Sequence, residues 1–467
     1  MFKKYLHVVV TAAAALLAFS VAAQAGGFAS RDQSAVGEGM SFAGEGTPGM
    51  GLSAMFWNPA AVTQVTGWGA EAHVSYRMPR SSITTDPAVT SPSIELLNSC
   101  GAGFCDRTSN IFENQIIPTF YGAYRLNPNW YLGLSVTQPF GFSTRIPDTG
   151  SFTLAAGTGP STVTQQLATS AKISSIDVNP IVGWKITNGI SVGIGPQFLW
   201  LRNTFDRDLF QLPAVTNFDS PVSLETRGFG VGLTAGITVT PTSTTEVALG
   251  YRSRVSANLS GHQFFTPNAL LLVAPATAPL SGATLGVDGN VTLPDQVSLG
   301  GRQRVTRDLT LLGTVEWTHW SVLQNVSYAF NNYPATVLYP SVINFNYRDG
   351  WFFSAGAEYQ LSPDTKLRAG IGYEISPVRG SLGWVALPEA NSTTLSAGFS
   401  HRLTQGLTVD FGYSYKWIDS QTILVGPGNP DQSKLITLIP GVFNTWGGNT
   451  SGHDQAVSLA LRYAFPK

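Results

Sequence analysis

Hydrophobic and polar residues alternate strictly along many segments of the chain. Over residues 407–417, every second position is apolar: Leu407, Val409, Phe411, Tyr413, Tyr415 and Trp417. The positions between them are polar or small, and residues 366–375 and 456–465 repeat the pattern. Because successive side chains of a β-strand point to opposite faces, each segment predicts a strand with one apolar and one polar face.

Segment length and connection length favour a membrane barrel over a soluble sandwich. Many segments reach about ten residues, the length a tilted strand needs to cross a bilayer. Short turns alternate with long connections, as in barrels with periplasmic turns and extracellular loops. We predict an all-β fold, an antiparallel transmembrane β-barrel of about fourteen strands. The strands are predicted at residues 69–78, 115–125, 130–146, 170–186, 189–206, 225–240, 244–258, 291–305, 309–330, 344–361, 365–378, 391–404, 407–419 and 453–465.

The beginning of the chain lacks this alternation and divides into two parts. Lys3 and Lys4 precede an apolar stretch that ends at the A-x-A site Ala23-Gln24-Ala25, so residues 1–25 are predicted to be a secretory signal peptide. Residues 26–68 are rich in Gly, Ser and Ala and too few for a core of their own, which suits a hatch folded in the lumen. Residues 69–467 are predicted to form the barrel.

The composition and motifs of the chain argue against several classes of function. Charged residues make up 12% of the chain, against roughly 25% in soluble domains. The net charge of −1 argues against nucleic acid, which requires a concentrated basic face. The histidines lack metal-ligand spacing, and the G-x-S-x-G at Gly189 follows a hairpin turn and enters a strand rather than a helix. We therefore expect neither an enzyme nor a cofactor.

The two cysteines, Cys100 and Cys105, are separated by four residues in the sequence CGAGFC. Secretion places them in an oxidising compartment, where such a pair favours a small disulfide loop over two free thiols. The mature protein should therefore show no reactive thiol until it is reduced and denatured, as alkylation and mass spectrometry would reveal. Alkylation of both cysteines in the native protein would contradict the pairing.

A series of short motifs carries a family resemblance. The predicted hatch contains Gly37-Glu38-Gly39-Met40-Ser41-Phe42-Ala43-Gly44-Glu45-Gly46 and then Asn58-Pro59-Ala60. Later come Leu293-Pro294-Asp295, Glu316-Trp317-Thr318-His319-Trp320-Ser321, Asn346-Tyr347-Arg348-Asp349, Gly370-Ile371-Gly372-Tyr373 with Ser376-Pro377-Val378, and Leu387-Pro388-Glu389. In this order the motifs resemble the FadL family of outer-membrane long-chain fatty acid transporters, over nearly the whole mature chain.

The resemblance implies a function. It implies a barrel closed by the hatch, with Gly44, Glu45, Gly46, Asn58, Pro59 and Ala60 as its motif residues, and diffusion of hydrophobic ligands that leave sideways at a kinked third strand. Arg207 occupies the place of a carboxylate-binding arginine late in the fifth strand. A second basic residue expected before the tenth strand has no counterpart, since residues 329–347 contain no Lys or Arg. Neutral aromatic or aliphatic hydrocarbons therefore stay open as ligands beside long-chain fatty acids.

Two local features fit such a transporter. Pro139, Phe140 and Gly141 lie within the predicted third strand, where proline gives no N–H to a ladder and glycine weakens pairing. They predict either a lateral gate or an ordinary bulge. The predicted loop at residues 259–290 contains Phe264, Phe265 and Leu271, which suggest a ligand-binding surface or the packed core of the loop itself.

Two other functions remain as alternatives. A water-filled, substrate-selective porin would share the alternation without needing a hatch, and a membrane-embedded lipid hydrolase would need a Ser and a His at one level of the wall. Neither accounts for residues 26–68. The expected partners are a hydrophobic small molecule, outer-membrane lipid and lipopolysaccharide, and the barrel-assembly machinery. We expect a monomer in the outer membrane of a Gram-negative cell.

Overall fold

The computed structural model describes residues 27–86, 107–145, 153–156, 163–166, 170–208, 221–267, 280–331, 342–380, 383, 387–425 and 446–465. The predicted signal peptide, the cysteine pair Cys100 and Cys105, and Leu271 lie outside these residues. No helix within the described ranges is long and apolar enough to span a membrane.

Fourteen antiparallel strands form one closed sheet, as the alternation predicts. We number them in chain order, and several have two segments. They are β1 (Trp68–Arg77, Arg80–Thr85), β2 (Arg107–Ser109, Gln115–Arg125), β3 (Trp130–Thr137, Gly141–Arg145), β4 (Ser170–Lys185), β5 (Ile190–Asp208), β6 (Pro221–Thr242), β7 (Thr245–Arg252, Val255–Phe265), β8 (Thr284–Leu293, Gln296–Arg304), β9 (Leu309–Thr318, Asn325–Phe330), β10 (Val342–Asn344, Gly350–Gln360), β11 (Thr365–Ile375), β12 (Ser392–Arg402), β13 (Leu407–Val425) and β14 (Trp446–Phe465). A separate hairpin joins Thr153–Ala156 to Val163–Gln166.

The barrel closes between its first and last strands. β1 pairs with β14 from Trp68↔Phe465 to Arg77↔Ala456. This closure leaves no open edge at the first and last strands, so the backbone polar groups of β1 and β14 pair with each other instead of facing lipid. The Trp68 and Phe465 rings stack where the seam ends.

The two faces of the wall follow the alternation. Along β5, the even-numbered residues from Ile190 to Trp200 form the outer face, where Ile194 is 51% exposed and Trp200 is 47% exposed. The odd-numbered residues are buried toward the lumen, as Leu199 and Leu201 are. Exposed apolar residues on the outer faces of other strands, such as Leu249, Ile371 and Leu461, extend this apolar belt around the barrel.

Several strands run further than the sequence predicts. β8 begins at Thr284, β13 reaches Val425 and β14 begins at Trp446, all within segments predicted as loops. Those predictions were wrong because the hairpins stay paired beyond the apolar belt, as at Phe264↔Thr284 and Gln421↔Thr450. Outward-facing residues in this part of the wall, such as Ser260 and His262 of β7, are polar, so the apolar outer face no longer marks the strand.

Residues 27–64 are short helical turns that contact the inner face of the wall. α1 (Ala35–Glu38) is capped by Ser34, whose Oγ accepts a hydrogen bond from Gly37 N. Three 3-10 turns follow at Pro48–Met50, Leu52–Phe56 and Pro59–Gln64. Most of these residues are buried, and the barrel wall surrounds them with hydrogen-bonding groups from many strands.

Candidate functional site

β3 is interrupted where Pro139, Phe140 and Gly141 lie. Its first segment pairs with β4 up to Thr137↔Asp177, and the pairing resumes at Gly141↔Ser174. On the other side, β2 and β3 pair from Arg125↔Tyr131 to Phe120↔Val136, and the next contact is the isolated bridge Phe112↔Thr144. The described wall therefore contains a stretch in which the ladder between β2 and β3 is absent.

The N-terminal residues lie in this interruption. Ser30 N donates a hydrogen bond to Pro139 O at 2.8 Å, and Gly141 N donates to Phe28 O at 2.7 Å. Ala29 and Phe140 form an isolated antiparallel bridge between these two bonds. Residues 28–30 thus supply the pairing that β3 lacks at its proline, and we call them the strap.

Gln33 fills the remaining space between β2 and β3. Its Nε2 donates to Gln138 O at 2.8 Å, and its Oε1 accepts from Gln138 N at 3.2 Å. Its backbone oxygen accepts hydrogen bonds from Thr119 Oγ1 and Tyr121 Oη, both on β2. One side chain and one carbonyl therefore connect two strands that do not pair with each other at this level.

Phe28 connects the strap to a large set of buried apolar side chains. Its ring lies 4.9 Å from that of Trp320 and 6.1 Å from that of Phe140, measured between ring centroids. The set fills the part of the lumen nearest the long connections, and we call it the apolar cluster. Its members include Phe28, Phe140, Phe142, Leu201, Val222, Phe265, Leu293, Trp320, Tyr328, Phe330 and Phe345.

The aromatic pair predicted on an external loop lies in β7 instead. Phe265 is 1% exposed and belongs to the apolar cluster, whereas Phe264 is 38% exposed. The loop prediction was wrong because β7 continues to Phe265, and consecutive residues of a strand face opposite sides. Of the two, only Phe265 is buried with the lumen residues.

A buried ion network lies beneath the strap. The Arg31 guanidinium contacts Glu316 of β9 at 2.7 Å, Glu45 at 3.2 Å and Glu374 of β11 at 3.3 Å. It also lies 3.7 Å from the centre of the Phe352 ring. Removing one partner from a buried ion network leaves an uncompensated charge, so Arg31 fixes residues 27–64 firmly to the wall.

A small cleft lies between the strap and a second paired arginine, and the strap residues Ala29 and Ser30 form part of its lining. Pro139, Phe140 and Pro294 contribute to its apolar lining, and Arg252 contributes to its polar lining. Arg252 pairs with Asp177 at 2.7 Å and also hydrogen-bonds Gln197 and Phe56 O. The cleft therefore connects the interruption of β3 with the lumen.

The Gly44-Glu45-Gly46 motif of the predicted hatch forms a tight turn against β9. Gly44 and Gly46 adopt φ values of +76° and +73°, and a Cβ on Gly44 would lie 2.7 Å from Leu312 of β9. Glu45 N bonds Thr314 Oγ1, which anchors this turn to β9.

Asn58 caps the turn that begins at Pro59. Its Oδ1 accepts from Ala60 N at 3.0 Å, and its Nδ2 donates to Ile237 O and Thr238 Oγ1 of β6. The Asn-Pro-Ala motif therefore fixes the last turn of residues 27–64 to the wall.

Arg207 lies near the end of β5, where its Cα partner is Val222 of β6. Its side chain is outside what the structure describes. The residues that the sequence did not reveal are Phe28, Ser30, Arg31 and Gln33, since no local pattern indicates that they meet β3. Trp320 belongs to a motif quoted for the family resemblance, but its contact with Phe28 could not be inferred from it.

The matches to known proteins are to outer-membrane and transport proteins. The family model described as "Outer membrane protein transport protein (OMPP1/FadL/TodX)" matches residues 16–465. Outer membrane protein P1 of Haemophilus influenzae is 23% identical, over 97% of this chain and 98% of its own. The long-chain fatty acid transport protein of Escherichia coli K12 is 22% identical, over 89% and 93%.

Solved structures share the fold. A Pseudomonas aeruginosa FadL homologue aligns with a TM-score of 0.75 at 18% identity, covering 94% of this chain and 100% of that one. The Ralstonia pickettii toluene transporter TbuX aligns with a TM-score of 0.61 at 15% identity, covering 93% and 99%.

Proposed function

Since this chain belongs to the OMPP1/FadL/TodX family of outer membrane transport proteins, we propose that it takes up long-chain fatty acids or similar hydrophobic compounds and releases them sideways through the interruption of β3. It is an outer-membrane transporter of hydrophobic compounds rather than an enzyme. One observation carries the sideways route: the apolar cluster continues without a break, through Phe28 and Phe140, into the interruption.

Ligand capture in this proposal uses the apolar cluster. The cluster lies beside the long connections, which face the cell exterior in outer-membrane barrels. Each methylene that leaves water for an apolar site contributes about 0.8 kcal/mol, so an alkyl chain gains affinity with length. Phe265 and Trp320 would contact the ligand there, and binding requires no energy source.

In this proposal, the ligand is released through the opening between β2 and β3 that the strap covers. Residues 27–64 block the straight path through the lumen, acting as the hatch, and the strap with Gln33 covers the opening between β2 and β3. Displacing Phe28 and Gln33 would open a path from the apolar cluster to the bilayer. Sideways exit is downhill for a hydrophobic ligand, because a path into the periplasm would return its apolar surface to water.

The favoured cargo is a long-chain fatty acid. Curated relatives that cover 89% of this chain are named long-chain fatty acid transport proteins, and Arg207 is the proposed partner of the carboxylate. Neutral hydrocarbons are the second candidate, and one observation favours them. The two arginines that line the cleft beside Phe140, Arg31 and Arg252, are already paired with carboxylates of the protein.

Replacing Arg207 separates these two cargoes. Charge-assisted hydrogen bonds contribute about 1.5–3 kcal/mol, so Arg207→Ala should weaken fatty acid binding by about tenfold or more. Binding of a neutral hydrocarbon of equal length should hardly change. Both affinities can be measured by fluorescence competition in detergent. Arg202→Ala is the matched control, because Arg202 lies on the same strand with its side chain 56% exposed. Equal losses for both ligands would show that Arg207 is structural.

A further inference from the structure

Residues 31–45 and the wall share a buried network in which carboxyl groups outnumber cations, and we call it the carboxyl network. Its cations are Arg31, Arg77 of β1 and Lys416 of β13, and each of them forms a salt bridge within it. Its six carboxyl groups among the described residues are all buried: Asp32, Glu38, Glu45, Glu316, Glu374 and Asp454. Six carboxyl groups and three cations leave an excess of three negative charges if every group is ionised. Because an uncompensated buried charge is costly, this composition favours protons on some of the carboxyl groups.

Glu38 lies where α1 packs against β13. A Cβ on Gly412 of β13 would lie 2.8 Å from the Glu38 Cβ, so the side chain has little room for hydrating water. Glu38 is 1% exposed, and its Oε2 has no hydrogen-bond partner among the described residues. Its carboxyl group shares a small polar cavity with Asp32, and the two carboxyl groups repel each other when both are ionised. A proton on either one removes that repulsion.

The cations that line this cavity already have carboxylate partners. β1 contributes Arg77, which is bound to Asp32 and Asp454. β13 contributes Lys416, which contacts Glu374 at 3.4 Å. Arg31 also lines the cavity, and its three carboxylate contacts are those described above. The charge of Glu38 must therefore be balanced in another way.

Hydroxyl groups and a further acceptor make up the rest of the polar lining. Asp454 of β14 has an Oδ1 atom without a hydrogen-bond partner among the described residues, whereas Ser414 of β13 and Thr394 of β12 contribute hydroxyl groups. His73 of β1 faces α1 as well, but its Nδ1 accepts a hydrogen bond from Ala35 N at 3.1 Å and therefore carries no proton. A protonated carboxyl group supplies a donor among these acceptors.

Docking of residues 27–64 should therefore depend on pH. Burial and the neighbouring Asp32 raise the pKa of the Glu38 carboxyl from 4.5 to about 8, although Ser414 and Arg77 act in the opposite direction. A carboxyl group whose pKa is higher in the docked state binds its proton more tightly there. Docking is consequently strongest below pH 4.5 and weakens as the pH rises from 4.5 to about 8.

We propose that Glu38 and Asp32 bind one proton between them, and that this proton holds α1 against the wall. At alkaline pH the proton leaves to water, the two carboxylates repel each other, and α1 moves away from β13 and β14. The barrel itself stays closed, because the pairing of β1 with β14 does not involve α1. The proposal concerns how residues 27–64 dock, and it is independent of the cargo and of its exit route.

Infrared difference spectroscopy tests the proton itself. A protonated carboxyl group has a C=O stretching band that a carboxylate lacks, and subtracting the spectrum of Glu38→Gln isolates the band of this residue. We expect the band at pH 6 and a titration midpoint of about 8. In denatured protein the midpoint should be about 4.3, the ordinary value for glutamic acid. Asp32→Asn removes the neighbouring charge, so the midpoint of Glu38 in this variant should be lower in the folded protein.

Hydrogen–deuterium exchange tests the effect on α1. A proton that only the docked state binds changes the docking equilibrium about tenfold per pH unit. After correction for the intrinsic exchange rate, protection of residues 35–38 should therefore fall at least about tenfold per pH unit between pH 6 and pH 8. Glu45 adds to this loss, because burial and Glu316 raise the pKa of its carboxyl as well.

Two variants assign the pH dependence to Glu38. Glu38→Gln keeps the neutral form at every pH, so its loss of protection should be smaller by about tenfold per pH unit. Glu113→Gln, a control on a half-exposed carboxylate, should lose protection as the unmodified protein does. Heat-modifiable migration in gels confirms that each barrel is folded.

Three results would overturn the proposal. If folded protein shows no Glu38 band at pH 6, the carboxyl group is ionised and binds no proton. If the band titrates but the protection of α1 does not change with pH, the proton does not hold α1. An unchanged loss of protection in Glu38→Gln would assign the pH dependence to other groups. None of these readouts involves transport, so the proposed function can fail separately.

Discussion

Joining positions 29 and 140 by a disulfide should abolish uptake of hydrophobic substrates while ligand binding is preserved. If cargo leaves through the interruption of β3, the strap must move away from Pro139 and Phe140 on each passage. A covalent link between Ala29→Cys and Phe140→Cys prevents that movement without filling the apolar cluster. We expect uptake to fall to the level of cells that lack the protein, and reduction to restore it.

The geometry suits this link. The hydrogen bonds Ser30 N–Pro139 O and Gly141 N–Phe28 O flank the pair Ala29↔Phe140, which is therefore a non-hydrogen-bonded antiparallel pair. Such pairs have Cα atoms about 4.5 Å apart. Disulfides join Cα atoms about 4.4–6.8 Å apart. The link should thus form without shifting the backbone.

Controls isolate the effect of the link. All variants carry Cys100→Ser and Cys105→Ser. In this background, each single cysteine substitution shows how far uptake falls from the loss of Ala29 or of the Phe140 ring alone. Uptake is measured with a labelled fatty acid in whole cells, and cross-linking is quantified by mass spectrometry. Undiminished uptake through a fully cross-linked protein would show that the ligand leaves by another path.

The barrel could be predicted from sequence because its signal is local and repeated. Alternation over residues 407–417 reflects a wall with lipid on one side and lumen on the other, and the same constraint acts on every strand. The prediction failed where that constraint ends. At Ser260 of β7, and at Gln421 of β13, the strands continue beyond the lipid, so their outer residues need not be apolar.

The sequence predicts the defect in β3 but not the residues that fill it. Pro139 and Gly141 indicate a defect in β3 because both weaken a ladder wherever they occur. What fills the defect is determined by contacts between residues far apart in the chain, such as Gln33 with Gln138. A residue like Gln33 shows no periodicity or motif that predicts its partner. The partners of Arg31 could not be predicted either, because the carboxylates that it contacts belong to residues 45, 316 and 374, far apart in the chain.

Shortening the segment that fills the lumen should turn the protein into a leaky pore. Ser34 Oγ and Ser53 Oγ lie 2.7 Å apart, so a short glycine linker can replace residues 35–52 while the strap keeps its place on β3. The excised part contacts β8–β14 and β1. Gly39 lies against Gly398, Glu45 lies against Gly300, and Leu52 N donates a hydrogen bond to the Glu71 side chain of β1. Direct pairing of β1 with β14 does not involve it, so the barrel should still fold.

The expected leak follows from barrel size. The interior widens with strand number, and fourteen strands enclose more space than wall side chains alone can fill. Removing residues 35–52 should therefore raise small-sugar permeation in liposome-swelling assays by about tenfold or more. The control is a chain shortened equally within residues 426–445, between β13 and β14. If the folded variant stays as tight as the control, residues 27–64 do not act as the hatch.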